Sequence, residues 1–172
     1  LIVGTLVKTG HLKHIVSPEH FHLMGKLMFA FTVFWAYIAF SQYFLIWYGN
    51  IPEETVWYQI RQPGGWMGPF MLLIFGHFIA PFWLLMSRHM KRNRTVLAAG
   101  ATWLLAMHYL DHYVMVMPNL HHHFAFHWLD ITCLMAVGGL ALGAWARRSS
   151  QANIVPVKDP QLNASMEYEN AV

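Results

Sequence analysis

The sequence predicts an all-α membrane protein, a bundle of about four transmembrane helices. Three observations predict it. First, 56% of the 172 residues are hydrophobic and only 11% are charged, whereas a soluble domain carries about a quarter charged residues. Second, four stretches reach the ~20 mostly apolar residues that a helix needs to cross a bilayer. Third, the lysines and arginines fall almost entirely between those stretches on one side. Nucleic-acid binding is excluded as the role of a basic turn set between two membrane spans.

The elements follow in order. Residues 1–16 read as a cytoplasmic-side segment. The chain does not begin with methionine, and Leu1-Ile2-Val3-Gly4 reads as the end of a preceding helix, so the expectation is the C-terminal part of a longer subunit. The first span is expected at about 18–48. Ser17-Pro18-Glu19 supplies a capping hydroxyl, a proline at the first helical position and an acid in the first turn. Asn50 and Pro52 end it. The second span is expected at about 67–88, after the breaker Pro63-Gly64-Gly65. The third is expected at about 95–117, stopping at Pro118. The fourth is expected at about 124–146. Together residues 17–148 form the bundle, and 149–172 form a polar cytoplasmic tail. Gly139 and Gly143 share a face of the fourth span, as close helix packing requires. The single cysteine, Cys133, can form neither an internal disulfide nor a thiolate cluster, and reads as buried packing.

Charge sets the orientation. Lys8, Lys13, Lys26, Arg88, Lys91, Arg92, Arg94, Arg147, Arg148 and Lys158 lie on one side, and Arg61 alone lies on the other. The basic side is therefore expected to be cytoplasmic. In a bacterial inner membrane, the loops between spans one and two and between spans three and four would then be periplasmic. Trp47, Tyr48, Trp57, Tyr58 and Trp66 would form an aromatic belt at that outer face.

Ionisable residues inside a membrane are costly, which makes them candidates for function. His108, Asp111 and His112 stand at i, i+3 and i+4, so they share one helical face. His127 and Asp130 stand three apart in the fourth span, and His77 sits near the middle of the second. Counting at 1.5 Å per residue places Asp111 and Asp130 each about 9 Å below the outer surface. Ser41 and Gln42 fall at a similar depth in the first span. Such a layer suits a proton relay or a hydroquinone site, because quinol oxidation releases two protons that need bases. The competing reading is structural, with these groups bridging helices because lipid satisfies none of them. A third reading lets His77 and His108 ligate a b-type haem. The run His121-His122-His123 near His127 lacks a paired cysteine or carboxylate at ligand spacing. It reads as an interfacial loop that touches a partner. No metal site is expected.

Several segments resemble a known family. They are Phe21 through Phe31, Trp35-Ala36-Tyr37-Ile38-Ala39-Phe40-Ser41-Gln42-Tyr43, Ile46 through Thr55, and Pro81 through Arg92. These are similar to ActF, the NrfD-like membrane subunit of bacterial alternative complex III. The resemblance covers most of the first three spans, and the fourth span and tail share it only generally. It implies a larger helical subunit of a quinol:electron-acceptor oxidoreductase that passes electrons to a periplasmic cytochrome c or a similar acceptor. It also implies an ActC-like sister subunit and peripheral redox subunits as partners. Haem c and iron–sulfur clusters would reside in those partners, with none bound by this chain and menaquinol or another quinol nearby. A subunit of this kind is not catalytic alone, and it supports quinol oxidation or proton translocation. A purely structural anchor for the peripheral subunits remains the alternative.

Overall fold

A computed structural model of the chain describes residues 1–168. The tail expected at 149–172 therefore lies partly outside the described residues. Among the described residues there are helices and no strands. The chain divides into two units, 1–124 and 125–172, each taken by itself below.

In the first unit, α1 spans Ile2–Lys8 and α2 spans Pro18–Gly49. The α2 start follows its sequence signal: the Ser17 backbone N–H donates to His20 Nδ1 at 3.1 Å. Its end is a left-handed Asn50 at φ 46°, whose N–H donates to Ile46 O at 3.1 Å. Asparagine tolerates that conformation better than most residues. At 32 residues, α2 is about 48 Å long, well beyond a hydrocarbon core of about 30 Å. Pro52–Gln59 then forms α3, a short helix not expected from the sequence.

The second span is not one regular helix. Met67–Leu73 forms α4, Ile74–Ile79 is a π-helical turn, and Ala80–Met86 forms α5. Pro81 explains the interruption: it has no N–H, and its ring clashes with the carbonyl four residues back. In a five-residue ladder the donor to Gly76 O would be Pro81. Trp103 Nε1–H donates there instead, at 2.7 Å. The expected end at 88 is corrected to Met86. Ser87 turns extended, and Arg88–Arg92 forms the separate short helix α6.

Next comes α7, Arg94–Val116, capped by Asn93 Oδ1, which accepts from the N–H of Thr95 and of Val96. A single 3₁₀ turn, Met117–Asn119, follows it. The basic turn is tied to α2 by an Arg92–Glu19 ion pair, with Arg94 over the Phe21 ring at 5.0 Å.

The far end of α7 is closed by Arg61. This guanidinium is 1% exposed. It donates to Val114 O at 3.0 Å, Met115 O at 2.6 Å and Trp57 O at 2.5 Å, and lies 3.6 Å from the Trp57 ring centroid. The last carbonyls of a helix have no intrahelical donors and carry its negative end, so a cation here is doubly favoured. Burial still pulls the Arg61 guanidinium below its ordinary value, and Tyr58 opposes that shift. Beside it, Gly64 and Gly65 take φ +65° and +84°. A Cβ on Gly64 would collide with His122 O. The Phe124 N–H donates to Gly64 O at 2.8 Å, and Trp66 Nε1–H donates to His121 O at 3.2 Å. The histidine run is thus held by its backbone, and its imidazoles stay exposed.

In the second unit, α8 spans Trp128–Ser149 and α9 spans Leu162–Met166. The fourth span was expected to begin near 124. The chain is not helical until Trp128, because His127 and Asp130 build the start locally. Cys133, expected to be buried, is exposed on α8.

Among the described residues, three helices are long and apolar enough to cross a membrane: Pro18–Gly49, Met67–Met86 and Trp128–Ser149. At 23 residues α7 has the length, and its polar face makes it less apolar than these. The buried apolar set is small (Phe21, Leu73, Leu85, Leu97, Met107 and Val114 among it), while Phe31, Phe40, Leu45 and Trp83 are exposed. An all-α membrane protein shows that pattern, since lipid is as apolar as its core.

Candidate functional site

Three helical segments of the first unit bring a polar cluster together in otherwise apolar surroundings. From α7 come His108, Asp111 and His112. From the π turn comes His77, and from α2 comes Trp35. The π turn matters here, because such bulges recur where a side chain must be re-aimed for function. Gly76 helps: a Cβ there would stand 2.7 Å from Met107 Sδ, which would have to shift, and 3.4 Å from the Trp103 ring. Glycine lets the His77 segment approach α7.

The contacts run from helix to helix. Trp35 Nε1–H donates to Asp111 Oδ2 at 2.9 Å, joining α2 to α7. The Trp35 ring stacks on His77 at 4.1 Å between centroids and 25° between planes. His77 meets His108 edge to face at 6.2 Å, and His108 meets His112 in the same manner at 4.4 Å. His77 is 6% exposed, and its Nδ1 has no hydrogen-bond partner. His112 Nδ1 lies 2.9 Å from His108 O. A carbonyl only accepts, so Nδ1 carries the proton and Nε2 is left as the basic nitrogen. His108 and His112 are exposed and Asp111 is half-buried.

Chemically the cluster offers a carboxylate with one oxygen free of Trp35, an imidazole with a defined basic nitrogen, and a buried imidazole with an unfilled polar atom. It can accept and pass protons, hydrogen-bond a hydroxyl or ligate a cation.

The sequence reading placed four of these residues and missed the fifth. Ser41 and Gln42 were expected to be the first span's contribution. Trp35, nearly two turns further in, makes the contact with Asp111. Counting depth from Asn50 misleads because α2 overshoots the bilayer thickness. The overlooked signal was a tryptophan far from the aromatic belt, where its indole N–H needs a buried partner.

His127 and Asp130 are also corrected. They do not share a helical face at depth. His127 precedes the helix, and its Nδ1 accepts from the Leu129 N–H at 3.3 Å. Asp130 Oδ2 accepts from the His127 N–H at 2.8 Å. The pair is a capping box in the first turn of α8, with the aspartate favoured by the positive helix end.

Outside the spans, burial pushes the Tyr58 phenol up, Tyr43 adds to that, and Arg61 opposes it. No protein-family model matches the chain, and no curated protein matches it.

Proposed function

We propose that this chain is an integral membrane subunit of a quinol:electron-acceptor oxidoreductase of the alternative complex III type. In this reading its histidine and aspartate cluster takes up protons released when quinol is oxidised. The observation that supports this most is the Trp35–Asp111–His77–His108–His112 arrangement in an apolar setting. Lipid gives no return for burying such groups, and intramembrane carboxylate–imidazole sets of this kind serve proton relays. The side carrying Arg88–Arg94 and Arg147 would face the cytoplasm. An ActC-like subunit and peripheral redox subunits carrying haem c and iron–sulfur clusters would be its partners.

The test is proton-coupled quinol oxidation by the whole complex carrying Asp111→Asn. A drop of tenfold or more in turnover or proton release, with assembly intact, supports the reading. Normal turnover and proton release with intact assembly refutes it.

One observation favours a second reading, a structural anchor. The Trp35–Asp111 bond bridges two helices, and it gives each polar group a partner. Under this reading Asp111→Asn, whose amide oxygen still accepts from Trp35, leaves assembly and turnover unchanged, while Asp111→Ala lowers assembly. A b-type haem anchor through His77 and His108 is the remaining alternative, and a b-type absorption spectrum from the isolated subunit would reveal it.

A further inference from the structure

We infer that His108, Asp111 and His112 form a binding site for a divalent transition-metal ion, with His77 as a neighbouring fourth donor. One ligand atom from each of the three residues lies within 4.8 Å of the others. Ligand atoms about 2.0–2.2 Å from a shared ion stand roughly 3–4 Å apart, so modest side-chain rotation closes the site. The spacing i, i+3, i+4 keeps all three on one face throughout.

The surrounding bonds are those a metal site needs. Metal-ligating histidines usually donate their other ring N–H to a carbonyl or carboxylate, which fixes tautomer and orientation. His112 does so, through Nδ1 to His108 O at 2.9 Å, leaving Nε2 for the ion. A ligating carboxylate is likewise hydrogen-bonded by its surroundings. Trp35 Nε1–H holds Asp111 Oδ2 at 2.9 Å, leaving Oδ1. A separate observation points the same way. His77 is 6% exposed, its Nδ1 has no hydrogen-bond partner, and its ring lies 6.2 Å from that of His108. A buried polar atom without a partner is costly, and an adjacent ion would give it one. Two imidazoles and a carboxylate on one face, with no thiolate, select a borderline ion such as Zn²⁺, Fe²⁺ or Ni²⁺ over Ca²⁺ or a thiolate-seeking ion. The inference does not depend on quinol chemistry.

The test is metal binding by the full chain in lipid nanodiscs. The chain is stripped with chelator and titrated with Co²⁺ alone, following visible ligand-field absorption, and metal content is measured after gel filtration. The expected result is one tightly held equivalent in the native chain and in the His121→Ala/His122→Ala/His123→Ala variant. Affinity falls at least tenfold in Asp111→Asn and in His112→Ala, with helical circular dichroism unchanged. Absence of a tight equivalent in the native chain overturns the proposal, and so does its loss in the loop variant with retention in Asp111→Asn. Should the α7 variants fail to fold, X-ray absorption of the native Co²⁺ form decides. Two or three imidazoles with an oxygen ligand support the site, and a shell of fewer than two imidazoles refutes it.

Discussion

Replacing Arg61 with methionine removes the cation and keeps most of the side-chain volume. In the native chain the guanidinium fills three carbonyls, two of them in the last turn of α7, at 1% exposure. Each hydrogen bond to a charged group contributes about 1.5–3 kcal/mol net. The desolvation of the buried cation offsets part of that gain. What the variant leaves behind matters more. Val114 O becomes a buried acceptor at a helix end, where no intrahelical donor exists, and Met115 O keeps only the Asn119 Nδ2–H bond at 3.3 Å. At about 1–3 kcal/mol for the orphaned carbonyl, with the lost ionic bond to Met115 O added, the expected loss is about 3 kcal/mol. For a chain of this size each kcal/mol shifts Tm by about 2–4 °C, so the melt should fall by roughly 6–12 °C. The assay is thermal unfolding of the full chain in nanodiscs, followed by circular dichroism. Arg61→Lys should fall between, because one ammonium on a flexible stem lacks the planar fork that reaches several carbonyls at once. If Arg61→Met melts within about 2 °C of the native chain, the end of α7 is not held by Arg61 and the reasoning fails.

Other expectations can be checked with the same material. A double-mutant cycle on Trp35→Phe and Asp111→Ala should give a coupling of at least about 1 kcal/mol, and zero coupling would remove the α2–α7 bridge. Gly76→Ala should destabilise by about 1–3 kcal/mol through overpacking against Met107 Sδ at 2.7 Å. Met107→Ala should then cost less in the Gly76→Ala chain than in the native one, and an equal cost would place the strain elsewhere. Burial raises the Tyr58 phenol, so the folded chain holds it neutral where the unfolded chain ionises. That contribution is full below the ordinary tyrosine value of about 10 and is lost as pH rises above it. Alkaline melts should therefore fall more steeply in the native chain than in Tyr58→Phe, and parallel curves would contradict this. Asp130→Ala should cost about 1 kcal/mol by removing its half of the α8 capping box, and a cost near zero would show that this half is not needed.

Much was legible in the sequence because it is written in local or one-dimensional patterns. Apolar run length located the helices, since lipid offers no partner for backbone groups and leaves the helix as the local solution. Ser17-Pro18-Glu19 and Asn50 marked the ends of α2 because capping is a contact between near neighbours. The i, i+3, i+4 spacing of His108, Asp111 and His112 put them on one face because the helix period is fixed. What was missed depended on contacts far apart in the chain. Trp35 and Asp111 are 76 residues apart, and their meeting follows from how α2 packs against α7. Arg61 read as a lone outer charge, and its two carbonyl partners on α7 exist only once the turn after α3 meets the end of that helix. Pro81 was visible throughout. That it would open a π turn around His77, and that Trp103 would fill the carbonyl Pro81 leaves without a donor, was decided by the packing of α7 against that turn.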